Sequence, residues 1–288
     1  MKYEEDPLAN ALICISEYES GCLDCGDFHL RSILRRMHVA ANKKTGDLAA
    51  FNEATRVALK QLADTLSFVK IGIVGSTDTG LLANLLMIAH EIGGKDLVDR
   101  LDITLIDRCA TPLIICQAYA ERCGVPLKTL RSDFLRCAPD GQFDLIIMHG
   151  VVPFFPAHKR LDYLRHVATW LSDEGMLISS THLGTKPYQN TDAVRTKMAI
   201  DNLTVLVRQN SNLDDQMLAA MIERLEASCE TRGGETTVFE NVETAETSYE
   251  AAALHVKSHQ VVQLDTSESE THFRRYKQRS IVTCVRAD

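Results

Sequence analysis

The chain has 288 residues, 45% hydrophobic and 24% charged, with a formal net charge of −8 at pH 7. That length can bury a substantial core, and the acidic balance argues against a dedicated nucleic-acid binder, which presents a basic face. No apolar run reaches the roughly 20 residues of a membrane span, and MKYEEDPLAN is acidic where a secretory signal is basic and then apolar, so a soluble, cytoplasmic protein with no nucleic-acid or membrane partner is expected.

Residues 1–67 hold little strand signal. LANALICISEYE, FHLRSILRRMHVAAN and DLAAFNEATRVALKQLADTL repeat apolar residues every three or four positions, which predicts an N-terminal cap of amphipathic helices. Between the first two lies Cys22-Leu-Asp-Cys25-Gly-Asp-Phe-His29, with His38 further on. Thiolates and imidazoles at such spacing can hold zinc, but a second Cys pair and a regular His pair are missing, so loop cysteines beside packed histidines are expected and no metal site. The nine cysteines are an odd number in an ordinary globular composition and fit reduced thiols better than a disulfide framework.

The stretch Phe68 to Gly80, FVKIGIVGSTDTG, predicts a buried strand that ends in a small-residue turn, and LLANLLMIAHEIG continues it as a helix. Such a turn lets a ligand approach the backbone and points the first N–H groups of the helix at it. Gly75, Thr77 and Gly80 keep the spacing of G-x-G-x-x-G with the middle glycine replaced. Alternation then continues to Gly184: strands DITLID, VPLKTLRSDF, FDLIIMHGVV and GMLISST, with helices over TPLIICQAYAERCG and LDYLRHVATWL. The expected core at 68–184 is therefore α/β, a doubly wound, mostly parallel sheet covered on both faces.

Ligands in such sheets sit at the carboxyl ends of strands, where strand order reverses. The first strand ends in Gly75-Ser76-Thr77-Asp78, the second in Asp107-Arg108, the third in Asp133-Phe134 and the fourth in Met148-His149-Gly150. An acid after the second strand is placed to accept hydrogen bonds from a ribose diol, and one after the third from an adenine amino group, with Phe134 against the ring face. Each acid also has a local reading as a strand end or helix cap.

Together IVGSTDTG, LIDR, RSDF, FDLIIMHGVV and LSDEGMLI resemble the class I S-adenosylmethionine-dependent methyltransferases. The resemblance implies a seven-stranded sheet with an antiparallel last strand between the fifth and sixth. It also implies S-adenosylmethionine as cofactor, held by Gly75, Ser76, Thr77, Asp78, Gly80, Asp107, Arg108, Asp133, Phe134 and Met148. The chain departs from the family at Ile73, where an acid is usual, and at Thr77, where a second glycine is usual.

Beyond Gly184, residues 185–256 read as a helical insertion over the strand ends, with Met198, Met217 and Met221 as candidate lining or core residues. Residues 257–288 read as a strand pair completing the sheet, and the basic run HFRRYKQRS within them as a solvated hairpin.

Transfer of a methyl group asks a protein to align the acceptor, exclude water and take a proton where required. His149 borders the methyl position that the resemblance implies and is the candidate base or orienting group, its alternative being a backbone contact to the cofactor. His182, Phe154 and Phe155 are candidates for the acceptor pocket. With no Asn/Asp-Pro-Pro-Tyr/Phe and no Pro-Cys after the fourth strand, a small-molecule acceptor is expected. The alternatives are an NAD(P)-dependent oxidoreductase and a non-catalytic methyltransferase-like binding module.

Overall fold

Strand β1, Val69–Val74, is buried at every position but Lys70, as befits a central parallel strand roofed by helices on both faces. It pairs with β2 (Leu101–Asp107) on one side and β4 (Phe143–His149) on the other, both parallel. β3 (Lys128–Arg131) extends the first side and β5 (Leu171–Leu183) the second. The last strand, β7 (Gln278–Arg286), runs antiparallel between β5 and β6 (Leu254–Gln263), so the order is β3-β2-β1-β4-β5-β7-β6. This is the seven-stranded arrangement that the sequence resemblance implies, and its order reverses between β1 and β4.

The computed structural model describes residues 3–5, 7–16, 28–41, 47–184, 197, 200–205, 215–230, 238–264 and 278–287. Cys22, Cys25, Met198 and most of the basic run before Gln278 lie outside them, as do the side chains of His38 and Met217. The helices whose bounds are described are α1 (Pro7–Ser16), α2 (Phe28–Ala41), α3 (Leu48–Thr65), α4 (Gly80–Asp99), α5 (Ala110–Cys123), α6 (Ala157–Ala168), α7 (Asp215–Glu230) and α8 (Val242–Glu250), and residues 200–205 are also helical. None of the described helices is long and apolar enough to cross a membrane.

Period-two alternation divides the core. Ile71, Ile73, Ile103, Leu105, Leu145 and Ile147 face a cluster shared with Leu34, Phe51 and Leu59 of the N-terminal helices, and with Leu85, Ile115 and Tyr119 of α4 and α5. Val74, Ile106, Ile146 and Met148 face a second cluster with Tyr163 and Leu164 of α6 and Tyr249 of α8. The N-terminal helices therefore share the sheet's own core, and Met221 of α7 is buried in the same first cluster. Ile73, at the position where an acid was sought, is a fully buried member of it.

α4 is interrupted at Gly93 and Gly94, the latter at φ 64°, and resumes to Asp99. This second helical stretch lengthens the connection between the glycine turn and β2. Six cysteines, 14, 109, 116, 123, 137 and 284, are buried thiols.

Candidate active site

The glycine turn is held by its neighbours. Gly75 sits at φ +70°, and a Cβ there would lie 2.6 Å from Val151 Cγ2 and 3.6 Å from Phe134 Cζ, so glycine is required for conformation and for space. Its N–H bonds the Ile106 carbonyl at 2.9 Å, and the Ser76 N–H donates to Asp107 Oδ2 at 3.0 Å. Asp107 Oδ1 accepts from the Cys109 N–H at 2.7 Å. Burial pushes the Asp107 carboxyl up; His29 and the two backbone donors pull the other way. Asp78, expected to meet the ligand, turns its Oδ1 to the Gly80 N–H at 2.8 Å, just before the cap residue Thr79, which makes no side-chain cap of its own.

Two side chains of the N-terminal helices reach this turn, and sequence reading assigned neither of them to it. Asn10 Nδ2 donates to Thr79 Oγ1 at 2.8 Å, while its Oδ1 is buried with no partner among the described residues. His29 Nδ1 lies 3.0 Å from the Thr77 carbonyl. The carbonyl only accepts, so Nδ1 donates. His29 is also within ligating reach of the Asp107 and Cys109 side chains.

At the end of β3, Asp133 is exposed and its Oδ1 accepts from the Leu135 N–H at 2.9 Å. Phe134 reaches the glycine turn and lies 6.1 Å from the Tyr163 ring. Arg108 is exposed, its carbonyl accepting from Arg131 Nε at 3.3 Å. Gly75, Asp107 and Phe134 thus lie together at the carboxyl edge of the sheet.

The end of β4 carries a different construction. His149 Nε2 lies 2.9 Å from Asp47 Oδ2, and Ser180 Oγ donates to the same oxygen at 2.9 Å. Arg279 Nε approaches it at 3.1 Å, with Nη1 3.4 Å from Oδ1. Asp47 occupies the cap position of α3 yet makes no side-chain cap; its carboxylate serves this cluster instead. Burial raises the Asp47 carboxyl, but His149, Arg279 and Ser180 outweigh it and hold the group well below the usual carboxylate range. Phe51 of α3 packs edge-on to the His149 ring with centroids 5.1 Å apart. Gly150, at φ +72°, leaves room for Arg279, whose Nη2 would lie 2.8 Å from an added Cβ.

Other expected residues divide between core and surface. The Met148 side chain is fully buried and its Sδ accepts from Tyr163 Oη at 3.4 Å, which leaves only its backbone for a ligand. Phe155 stacks on Tyr163 at 3.9 Å, whereas Phe154 is 56% exposed and meets Phe28 edge-on. His182 is two residues beyond Ser180 on β5 and pairs in register with Arg279, which puts it on the Asp47 side of the sheet. Arg279 lies in the basic run read as a solvated hairpin; in the fold it is a partly buried partner of Asp47.

No family model matches the chain. A polyamine aminopropyltransferase of Clostridioides difficile (strain 630) is 23% identical over 148 residues, 48% of this chain and 48% of that protein. The chain thus spans about half the length of the curated relative it matches. Among solved structures, the 1,6-didemethyltoxoflavin-N1-methyltransferase of Burkholderia thailandensis, bound to 1,6-didemethyltoxoflavin and S-adenosylhomocysteine, superposes with a TM-score of 0.53 at 12% identity, covering 99% of this chain and 92% of that one. The N-methyltransferase NodS of Bradyrhizobium japonicum WM9 gives 0.46 at 12% identity, covering 82% and 87%. The sheet order and the first of these superpositions show that the chain has the class I S-adenosylmethionine-dependent methyltransferase fold.

Proposed function

We propose that this chain is an S-adenosylmethionine-dependent methyltransferase of a small-molecule acceptor. The observation that carries the reading is the meeting of Gly75, Asp107 and Phe134 at the carboxyl ends of the first three parallel strands. The donor set suits the cofactor. Asp107 keeps lone pairs beyond its two backbone donors for a ribose diol, Asp133 offers an exposed carboxylate to an adenine amino group, and Phe134 covers the ring. Asn10 Oδ1, which has no partner among the described residues and lies beside Thr79 at the start of α4, suits the ammonium of the methionyl end. When bound, that cofactor supplies a methyl group on a sulfonium.

The chain's own contribution to the reaction lies in the second cluster. Asp47 is ionised, so His149 Nε2 donates to it, and the ring's proton-accepting nitrogen is Nδ1. A carboxylate that fixes tautomer and orientation makes an imidazole a better general base, the logic of a histidine held by an aspartate. His149 takes the acceptor's proton at Nδ1, and Phe154, exposed near the same strand end, shields the acceptor from water.

The name of the Clostridioides difficile relative raises aminopropyl transfer as a second reading. Its acceptor would be a polycation, and among the described residues the charged groups beside His149 are Arg279 and a carboxylate already engaged by three donors. That balance favours a neutral or anionic acceptor.

The test is transfer of a labelled methyl group to a panel of small phenols, amines and carboxylic acids, with NADH oxidation followed in parallel. Methylation that drops at least a hundredfold in kcat in His149→Gln, with cofactor affinity retained, is expected. Hydride transfer from NADH, or undiminished kcat in the variant, would overturn the assignment.

A further inference from the structure

The buried side chains of His29, Asp107 and Cys109 bring an imidazole nitrogen, a carboxylate oxygen and a thiol sulfur within 4.8 Å of one another at the end of β2. They come from the first turn of α2, the last residue of β2 and the cap position of α5. We propose that this trio binds a divalent cation of the Zn2+ class, and that the cation and the cofactor's ribose compete for Asp107. The competition rests on the ribose reading of Asp107; cation binding does not.

Mixed nitrogen, oxygen and sulfur donors suit a borderline ion such as Zn2+ and are poor for Mg2+ or Ca2+, which take oxygen. Zn2+ bonds of about 2.0–2.3 Å separate neighbouring donors of a tetrahedral site by about 3.3–3.8 Å. The trio therefore has to close by about 1.5 Å at most, within reach of side-chain rotation at His29 and Cys109.

Two ligands are already oriented from behind. His29 Nδ1 donates to the Thr77 carbonyl at 3.0 Å, which fixes the tautomer and puts the ring's lone pair on Nε2. Metal-bound histidines are held in this way. Asp107 is fixed by the Ser76 and Cys109 N–H groups at 3.0 and 2.7 Å and retains lone pairs for a cation. Charge also balances. On binding, the Cys109 thiol passes its proton to solvent, and thiolate plus carboxylate neutralise the dication in a site where each residue is no more than 6% exposed. The fourth coordination position is left to water. A ribose diol needs the same Asp107 lone pairs, and His29 stands over them.

The chelator-stripped full chain is titrated with Co2+ as a spectroscopic substitute for Zn2+. One equivalent is expected to produce the visible bands of a four-coordinate ion, a sulfur-to-cobalt charge-transfer band and release of one proton. Cys109→Ser should abolish the charge-transfer band, and His29→Ala should weaken Co2+ binding at least tenfold. Absence of both bands in the wild type, or a charge-transfer band that survives Cys109→Ser, overturns the site. If that variant does not fold, X-ray absorption of the Zn2+-loaded wild type decides: one sulfur neighbour supports the site, and none or several overturns it. S-adenosylhomocysteine is then titrated into stripped and Zn2+-loaded protein. At least tenfold weaker binding with Zn2+ is expected, and equal affinity overturns the competition. Failure of S-adenosylhomocysteine to bind either form, with the cobalt bands present, removes the ribose reading and the competition while the cation site stands.

Discussion

The two halves of the sheet's carboxyl edge each hold a buried carboxylate, and they hold it by different means. Asp107, at the end of β2, is fixed by backbone N–H groups of Ser76 and Cys109, both close to the ends of adjacent strands. Asp47 is fixed by the side chains of His149, Ser180 and Arg279, from β4, β5 and β7. A carboxylate held by backbone keeps its remaining lone pairs for a ligand and depends little on which side chains surround it. One held by three side chains has been committed to joining elements, here α3 to the sheet, and to orienting His149. Under the proposed function the first half binds and the second positions.

The contrast predicts where damage falls. The largest effect is expected for Asp47→Ala, which leaves Arg279 and His149 without their common acceptor. Loss of one partner of a buried charge cluster costs about 3–5 kcal/mol, measured by urea unfolding at pH 7. The cluster also sets an acid limit. The folded carboxyl of Asp47 lies below its unfolded value of about 3.9, so the unfolded chain binds the proton first. The stability from Asp47 is complete above about pH 5 and is lost as pH falls through about 4 toward the folded value. Asp47→Asn should flatten that limb of the stability profile; an unchanged limb would place the acid sensitivity elsewhere.

Asp107→Ala should act on ligand more than on fold. Cofactor affinity is expected to fall by about 2–4 kcal/mol, read by calorimetry, while stability falls by only about 1–3 kcal/mol through the two freed backbone donors. Gly150→Ala should cost about 1–3 kcal/mol, since it combines a left-handed backbone with a methyl against Arg279. Phe154→Ala should leave stability within about 0.5 kcal/mol of wild type, as a half-exposed side chain outside both cores. Its effect should appear in the acceptor KM instead, and an unchanged KM would remove it from the acceptor pocket.

The binding half was largely legible in the sequence. Strands buried on both faces read as continuous apolar runs, helices between them imply parallel crossovers, and the residues closing each strand are contiguous with it. Gly75, Asp107 and Phe134 could be placed on one edge for that reason. Asp78 was less legible because a short acid in a glycine turn has two uses, and here its Oδ1 accepts from the Gly80 N–H.

The positioning half was not legible. Asp47 and Arg279 stand 232 positions apart. Nothing in a helix-cap aspartate or a basic run announces that they meet. His29 was visible as a possible ligand beside Cys22 and Cys25, but its approach to Asp107 depends on how α2 packs over the glycine turn. Met148 shows the limit of strand-end logic: adjacent positions alternate faces, so His149 reaches Asp47 while the Met148 side chain enters the opposite core.

The most direct test of the account is calorimetric titration of S-adenosylhomocysteine into the chelator-treated protein and into its Asp107→Ala variant. The account predicts micromolar binding to the wild type and at least thirtyfold weaker binding to a folded variant, the lower end of the loss given above. No binding to the folded wild type, or equal binding to both, would contradict it.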